Sequence, residues 1–451
     1  MALDKSIFKA YDIRGTYPDQ IDEHLSYQIG RAISCVLHSN PFVVGRDMRE
    51  CSQKVHDFLI KGLLESGSDV TDIGMVSTDT LYHACSLYHS SGVMVTASHN
   101  PPQYGGFKIV KKLPHMLSKE DGLSEVCRLV ECEKYTFASK KGRLFQSDVN
   151  QKFVDYVLSK TNSNNFRPMK IVADTGNGMA GPILKETYDQ IPQIEMIYMN
   201  LEPNGVNPSH GWDPLQLENR QDLELKVLNE KADLGFAFDG DGDRFFIIDN
   251  SGEFVSGDFL TALLAQHMLL KYPKSKIIYD VRSSRVVPDQ ILAFGGVPLE
   301  EKVGHSFIKR RMVKENAVFG GEVTGHYYFS DFHFVDSGIF PSLILLEMLS
   351  KTKLSLSDIL SEFRNKYFIS GEINIPINQT SEVNAAIKKI EEKFRNTSKI
   401  EKTDGVSVIS DLWRFNVRPS NTEPFVRLNL EAESADLLRD QKELILEILR
   451  Q

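Results

Sequence analysis

Three aspartates at alternate positions, Asp239, Asp241 and Asp243, form the pattern with the clearest chemistry in this chain. The glycines between them let the backbone curl, so the three carboxylates can converge on one hard cation that prefers oxygen ligands. An EF-hand calcium loop would need glycine and glutamate where this chain has Arg244 and Asn250, and the flanking segments read as strands. We therefore expect a tight strand-to-strand loop that binds Mg²⁺, with a solvated acidic turn as the alternative.

Ser98 lies beside His99 at the end of an apolar, β-branched run. In extended backbone, adjacent side chains point to opposite sides, which makes His99 a poor base for Ser98 and argues against a hydrolase triad. The nucleophile motif GxSxG is absent as well. A serine in a polar, glycine-rich segment suits phosphoryl transfer, and a phosphate on Ser98 could complete the coordination begun by the aspartates. The alternative is an ordinary polar loop in which Ser98 caps the backbone.

A third cluster begins at Arg418, on a short loop bracketed by prolines. A guanidinium fork followed by small hydroxyl and amide side chains and backbone N–H groups is a typical way to hold a phosphate dianion. A plain surface turn is the alternative. The residues that would share this role with Arg418 are Ser420, Asn421 and Thr422.

Glu322 and Thr324 could bind a sugar. They lie two positions apart, so in extended backbone they would share a face and contact adjacent hydroxyl groups. An edge-strand turn explains the same residues equally well. Other candidate ligand contacts, each of which also reads as ordinary surface charge, are His305 and Lys309 at the start of a predicted helix, Arg282 and Arg285 on a strand-to-helix turn, and Arg14 near the N-terminus.

Length and composition narrow the class of protein. A chain of 451 residues with ordinary globular composition should form about two to four domains. The net charge of −9 predicts no nucleic-acid partner. No segment resembles a signal peptide or a membrane span, so we expect a cytoplasmic protein that does not bind membranes. The five cysteines include no CxxC pair and read as reduced, mostly structural thiols.

Strand-like and amphipathic segments alternate along most of the chain, which predicts α/β domains. Shifts in composition place boundaries so that the domains comprise residues 1–145, 146–252, 253–368 and 369–451. The last segment changes pattern, with helices predicted at about 381–396 and about 434–450 around short strands. It reads as a smaller α+β domain.

Five short segments occur together in the order and spacing of a known family: AYDIRG, TASHNPP, DGDGDR, GEVTGH and RPSNTEP. On these motifs the chain resembles the α-D-phosphohexomutase superfamily over nearly its whole length, and looks most like the phosphomannomutase/phosphoglucomutase branch. The resemblance implies three consecutive α/β domains and a smaller C-terminal domain related to the TATA-binding-protein fold, arranged around a central cleft.

The resemblance also implies roles for individual residues. Ser98 would be the phosphoserine and would bind Mg²⁺ together with Asp239, Asp241 and Asp243. Residues implied to flank the transferring phosphoryl group are His99, Lys108 and Arg244, with Lys108 as the partner in proton transfer. Residues implied to bind substrate are Arg14, Arg282, His305, Glu322 and Thr324, together with Arg418, Ser420, Asn421 and Thr422 at the phosphate that does not react.

The implied reaction interconverts a hexose 1-phosphate and its 6-phosphate through a phosphoserine and a hexose 1,6-bisphosphate. The expected partner is therefore a small hexose phosphate, bound by a monomer or a weak dimer. Three alternatives stay open: a phosphoglucosamine mutase of the same superfamily, a magnesium-dependent sugar phosphatase, and a sugar phosphate sensor without catalysis. The sequence leaves open the choice among mannose, glucose and glucosamine phosphates.

Overall fold

The computed structural model describes residues 3–38, 41–135, 138–377, 380–419 and 425–450. The chain divides into two compact units. The first comprises Met1–Val255 with Thr324–Ser355, and the second comprises Ser256–Val323 with Leu356–Gln451. Within the described ranges, none of the helices combines the length and the apolar character that a bilayer crossing requires.

A mixed sheet with strand order β1-β5-β4-β2-β3-β7 opens the first unit, and β6 pairs with β5. Parallel pairing joins β2 to β3 and β4, whereas β5 returns antiparallel to β4. Ser98 lies in the connection between these two antiparallel strands, just beyond the carboxyl end of β4. The elements are β1 (Ile13–Thr16), α1 (Glu23–Leu37), β2 (Phe42–Arg46), α2 (Ser52–Glu65), β3 (Val70–Met75), α3 (Thr78–Leu87), β4 (Ser91–Val95), β5 (Tyr104–Lys112), β6 (His115–Met116), α4 (Leu123–Cys132) and β7 (Leu144–Gln146).

A second sheet of the same unit has the order β12-β11-β10-β8-β9. Strand β10 is parallel to β8 and antiparallel to β11, with Phe238 opposite Phe245. Residues 239–244 therefore form a tight loop between two strands, which confirms the strand-to-strand prediction for the three aspartates. The elements are α5 (Asn150–Ser159), β8 (Met169–Asp174), α6 (Ala180–Tyr188), β9 (Ile194–Met199), α7 (Gln221–Glu230), β10 (Leu234–Phe238), β11 (Phe245–Asp249) and β12 (Phe254–Val255).

The second unit begins with a third α/β segment. Strand β13 pairs in parallel with β14 on one side and β15 on the other. Ser256 is the N-cap of helix α8, and its hydroxyl oxygen accepts a hydrogen bond from the backbone N–H of Phe259 at 3.3 Å. The elements are α8 (Gly257–Lys271), β13 (Lys276–Asp280), α9 (Val286–Ala293), β14 (Val297–Glu301), α10 (His305–Glu315) and β15 (Phe319–Gly321).

The chain then adds a short antiparallel pair and a helix to the first unit, and finishes in the second. The C-terminal sheet has the order β18-β22-β21-β20-β19, with antiparallel pairing throughout. Helices α13 and α14 begin and end within about two residues of the predicted bounds. The elements are β16 (Tyr327–Phe329), β17 (Val335–Asp336), α11 (Ile339–Leu349), α12 (Leu356–Lys366), β18 (Phe368–Pro376), α13 (Thr380–Phe394), β19 (Lys399–Glu401), β20 (Val406–Ile409), β21 (Trp413–Pro419), β22 (Phe425–Ala432) and α14 (Ala435–Arg450).

Candidate active site

Residues 239–244, the loop between β10 and β11, are called the aspartate loop. This loop concentrates negative charge in the interior of the first unit. The side chains of Asp239, Asp241 and Asp243 are all buried, and one oxygen atom of each lies within 4.8 Å of the others. Gly242 adopts a φ of +75°, in the left-handed region that glycine enters without strain. The alternation of aspartate and glycine thus turns three carboxylates toward one point, as the sequence predicted.

Ser98 joins this loop from the end of β4. Its Oγ donates a hydrogen bond to Oδ2 of Asp239 at 3.0 Å, and its side chain is buried. The contact needs a glycine opposite, because a Cβ atom at position 240 would lie 2.6 Å from the carbonyl oxygen of Ser98. The carboxyl ends of β4 and β10, which belong to two different sheets, therefore meet at the serine hydroxyl.

These residues fit Mg²⁺. The carboxylates and the Ser98 hydroxyl offer hard oxygen donors, and Oδ1 of Asp241 and of Asp243 have no hydrogen-bond partner within the described ranges. Burial and the charges of Asp243 and Asp241 raise the pKa of Asp239 well above its ordinary value. A cation that compensates this repulsion is what would keep all three carboxylates ionised together.

Lys108 reaches the same carboxylates from β5. Its Nζ lies 2.6 Å from Oδ2 of Asp241 and also contacts Asp243. Burial alone would lower the pKa of Lys108, but Asp241 and Asp243 raise it above the ordinary value. The ammonium group therefore carries its proton and its positive charge at neutral pH.

The prediction that His99 points away from Ser98 is wrong. Nδ1 of His99 lies 3.3 Å from Oγ of Ser98. Ser98 has a φ of +52° and belongs to a turn, so the alternation of an extended strand does not apply to it. Burial and the positive charges of Arg244 and Arg14 lower the pKa of His99 well below its ordinary value, so the imidazole is neutral at pH 7.

Arg244 follows the aspartates directly and is held from two sides. Its backbone N–H donates to Oδ1 of Asp239 at 3.1 Å, and its Nε donates to Nε2 of His326 at 3.0 Å. Nδ1 of His326 in turn lies 2.8 Å from Oδ2 of Asp336. The guanidinium group is thus fixed beside the loop of the three aspartates. His326 was not predicted as a site residue, although it closes the GEVTGH motif.

Arg14 lies on β1 and contacts the serine loop, which is the segment of residues 96–103 between β4 and β5 that contains Ser98. Its Nη1 donates to Oδ1 of Asn100 at 2.7 Å, and its Nη2 donates to Oδ2 of Asp12 at 2.5 Å. The structure therefore brings Arg14 together with the segment that contains Ser98.

Arg49 fixes the backbone of the serine loop and was missed by the sequence analysis. Its side chain is fully buried, and its Nη atoms donate to four backbone carbonyl groups: those of Ser98 at 2.7 Å, Asn100 at 2.7 Å, Pro101 at 2.7 Å and Tyr104 at 3.2 Å. Its Nε donates to Asp47 at 3.0 Å. The guanidinium carbon lies 4.6 Å from the ring centre of Trp212. No local pattern marks this role, because the contacts span about fifty residues of sequence.

Thr78 holds the aspartate loop in place and was not among the residues predicted from the sequence. Its backbone N–H donates to the carbonyl oxygen of Asp241 at 2.9 Å, and its Oγ1 donates to Oδ2 of Asp241 at 2.6 Å. Thr78 is the first residue of α3, so the aspartate lies at the positive end of a helix dipole. This contact joins residues 163 positions apart, which no motif in either segment indicates.

In the second unit, Glu322, one of the two predicted sugar-binding residues, directly follows β15 and contacts the segment that leads into α10. Oε1 of Glu322 accepts a hydrogen bond from the backbone N–H of Gly304 at 3.0 Å, immediately before His305 at the start of α10. The structure thus brings Glu322 and His305 together. The prediction that Glu322 and Thr324 share a strand face is wrong, because β15 ends at residue 321 and Thr324 belongs to a turn.

Two predicted substrate-binding arginines of the second unit, Arg282 and Arg418, are paired with acids. Arg282 donates to both carboxylate oxygens of Asp280 at 2.9 Å, and Nη2 of Arg418 donates to Oε2 of Glu372 at 2.8 Å. Three further predicted residues lie outside the described residues: Ser420, Asn421 and Thr422.

Comparison with known proteins identifies the family. Successive segments match the four domains of phosphoglucomutase/phosphomannomutase: alpha/beta/alpha domain I at residues 5–136, alpha/beta/alpha domain II at 151–252, alpha/beta/alpha domain III at 256–367 and the C-terminal domain at 372–448. The chain belongs to the phosphoglucomutase/phosphomannomutase family. This confirms the resemblance and the predicted succession of three α/β domains and a C-terminal domain.

Individual relatives support the same assignment. A phosphomannomutase of Escherichia coli (strain K12) is 39% identical over 435 residues, which cover 94% of each chain. A phosphomannomutase of Salmonella typhimurium is 37% identical, over 98% of this chain and 99% of the relative. A crystal structure of a phosphoglucomutase/phosphomannomutase family protein from Burkholderia thailandensis superposes with a TM-score of 0.90 at 31% identity, over 99% of this chain and 98% of that one.

We predict that Arg49→Lys impairs the serine loop. An ammonium group has three donors and no planar fork, so it cannot satisfy four carbonyl groups and Asp47 together. Each carbonyl left unpaired costs roughly 1–3 kcal/mol, so the melting temperature should fall, and turnover should fall with it. Arg143→Lys, an exposed change in the same domain, is the matched control for calorimetry and kinetics. Wild-type stability of the Arg49 variant would contradict this role.

We also predict that Asp241→Asn weakens metal binding. The substitution keeps the side-chain shape but removes one of three ligand charges, and the dissociation constant for Mg²⁺ should rise by about tenfold or more. Isothermal titration calorimetry with Mg²⁺ measures this constant directly, and Asp222→Asn on the exposed face of α7 is the matched control. Equal affinity in the wild type and the Asp241 variant would remove Asp241 from the metal site.

Proposed function

We propose that this chain is a phosphomannomutase/phosphoglucomutase, which converts a hexose 1-phosphate reversibly into the 6-phosphate through a phosphoserine at Ser98. The observation that carries the proposal is the hydrogen bond between Oγ of Ser98 and Asp239, within a buried group of three aspartates. Family membership and full-length similarity to phosphomannomutases support it. A binding protein would need neither a buried serine hydroxyl at this position nor three carboxylates around it.

Each half-reaction exchanges one ester bond for another. In the first, a hydroxyl oxygen of the hexose phosphate attacks phosphorus, the bond between phosphorus and Oγ of Ser98 breaks, and a hexose 1,6-bisphosphate forms. In the second, Oγ of Ser98 attacks the other phosphate of this intermediate, and the monophosphate product leaves with a free hydroxyl. Mg²⁺, when bound by Ser98 and the three aspartates, supplies positive charge that stabilises the oxygens of the transferring group.

The neighbouring side chains provide the rest of the chemistry. Lys108 holds a proton at Nζ that can pass to the oxygen that loses the phosphoryl group, and Nζ then takes up the proton that the attacking hydroxyl gives up. Asp241 and Asp243 hold the positive charge of Lys108 in place. Arg244 offers a guanidinium group to the phosphoryl oxygens. The neutral His99 lies beside Oγ of Ser98, where it can orient the hydroxyl group between the two half-reactions.

Turning the bisphosphate around requires ligand groups that do no chemistry. We assign the phosphate that is not reacting to Arg418, together with Ser420, Asn421 and Thr422, and the sugar hydroxyls to Glu322 and Thr324. Three further substrate contacts belong to this assignment: Arg14, Arg282 and His305. We also propose that the domain boundaries lie near residues 145, 252 and 368. The protein would be a monomer or a weak dimer. Exclusion of water from the bound substrate would protect the phosphoserine from hydrolysis.

The reaction can be tested by a ³¹P NMR time course. Samples contain Mg²⁺, a trace of hexose 1,6-bisphosphate and, separately, the 1-phosphates of mannose, glucose and glucosamine. Conversion of mannose and glucose 1-phosphates into 6-phosphates is the expected result. Conversion of glucosamine 1-phosphate alone would indicate the amino-sugar mutase, and free phosphate without any 6-phosphate would indicate a phosphatase.

We predict that Ser98→Ala removes turnover and leaves sugar phosphate binding intact. The variant has no atom to carry the phosphoryl group, so kcat should fall by roughly a thousandfold or more. Intact-mass analysis should also show that the variant loses any covalent phosphate found on the wild type. Ser124→Ala, an exposed serine of the same domain, is the matched control. Turnover near the wild-type rate in the Ser98 variant would refute the phosphoserine mechanism.

A further inference from the structure

Three arginines of the second unit converge on one carboxylate, that of Glu372. Oε2 of Glu372 accepts a hydrogen bond from Nη2 of Arg418 at 2.8 Å, and Oε1 accepts one from Nη1 of Arg427 at 3.1 Å. Nη1 of Arg282 lies 3.6 Å from Oε2. The two carboxylate oxygens thus bridge two separate guanidinium groups, which is the arrangement that a phosphate group would adopt between them.

The C-terminal sheet forces the two arginines together. Arg418 on β21 and Arg427 on β22 are directly opposite each other in the antiparallel register. Like charges in such a pair destabilise a sheet unless an anion lies between them. Glu372 comes from β18, on the other side of β22, and supplies that anion. Arg427 therefore belongs to the same anion-binding surface as Arg418, although no motif singles it out.

The second acid of the cluster behaves differently. Asp280 is fully buried and binds Arg282 through both oxygens, so Arg282 has a counter-ion of its own. The side chain of Glu372 is 24% exposed and is shared among all three arginines. Nε of Arg418 is buried and has no hydrogen-bond partner among the described residues, so this arginine retains a donor that Glu372 does not use. Glu372 is thus the acid of this cluster that an entering anion can replace.

We propose that Glu372 is a built-in counter-ion for the substrate phosphate: its carboxylate bridges Arg418 and Arg427 in the free enzyme, and the phosphate displaces it. This inference rests on the proposed function, in which Arg418 grips the phosphate that is not reacting, and it adds Arg427 to that site. A phosphate dianion carries more charge and one more acceptor oxygen than a carboxylate, so the exchange favours the substrate.

The exchange suits a reaction whose intermediate must turn around. If a phosphate left the buried guanidinium group of Arg418 unpaired, release would carry a large electrostatic penalty. Glu372 returns to the arginines when the phosphate leaves, so the charge is compensated in both states. Competition from Glu372 also lowers the affinity of this site for the phosphate, so the bisphosphate dissociates from it more readily.

We predict that Glu372→Gln binds phosphate more tightly than the parent protein. The test uses full-length Ser98→Ala protein, which cannot turn substrate over, and calorimetric titration with hexose 1-phosphate and with inorganic phosphate at fixed ionic strength. Removal of the competing charge should lower both dissociation constants by about three- to tenfold. Arg427→Gln should raise them, and Glu443→Gln on the exposed face of α14 is the matched control for a lost carboxylate.

The opposite result is equally informative. A higher or unchanged dissociation constant in Glu372→Gln would overturn the proposal, because Glu372 would then only hold the arginines in place. Should Glu372→Gln fold poorly, Glu372→Asp serves instead, since its shorter side chain retains the charge but reaches the arginines less well. The rise in melting temperature on addition of phosphate should then exceed that of the parent protein.

The mutase assay separates this inference from the proposed function. Tighter phosphate binding in Glu372→Gln, together with no 6-phosphate in the ³¹P NMR time course of the wild type, would support the counter-ion and refute the mutase. Mutase activity in the wild type without tighter binding in the variant would refute the counter-ion alone.

Discussion

Mutual repulsion among Asp239, Asp241 and Asp243 is the constraint on which the first unit depends. Three carboxylates that are buried within 4.8 Å of one another would be strongly unfavourable if nothing compensated their charge. The chain supplies partial compensation from separate directions: the ammonium group of Lys108, the guanidinium group of Arg244 and the N-terminus of α3 at Thr78. What these groups leave over is an oxygen-rich position suited to a divalent cation.

The same constraint explains why the site needs two sheets. One sheet ends in the serine loop and the other in the aspartate loop, and neither loop alone holds both the serine hydroxyl and the three carboxylates. Arg49 makes this arrangement rigid, because one guanidinium group gathers the carbonyl oxygens of the serine loop and stacks on Trp212, which the chain contributes from the segment before α7. Positioning of this kind is most of what phosphoryl transfer requires of a protein.

The sequence was sufficient where chemistry and local backbone coincide. The aspartate loop could be predicted because alternate glycines, flanking strands and charge repulsion all act within a few residues. The family could be identified because its motifs are local as well. Arg49 and Thr78 could not be found in this way, since their roles depend on contacts between distant segments. His326 lies in the GEVTGH motif, but the motif does not show its contact with Arg244. The backbone at Ser98 was predicted incorrectly for a related reason: the turn that brings His99 to its hydroxyl is stabilised by Arg49.

The two units handle charge by the same physical rule with opposite signs. In the first unit, buried carboxylates are partly neutralised by Lys108 and Arg244 before any metal ion or phosphate binds. In the second, the arginines at positions 282 and 418 are neutralised by Asp280 and Glu372. A ligand that replaced one partner of such an ion pair would meet a charge that is already compensated, so the free-energy difference between bound and free states would stay small. A mutase needs this balance, because its intermediate has to be held firmly enough for phosphoryl transfer and loosely enough to reverse its orientation.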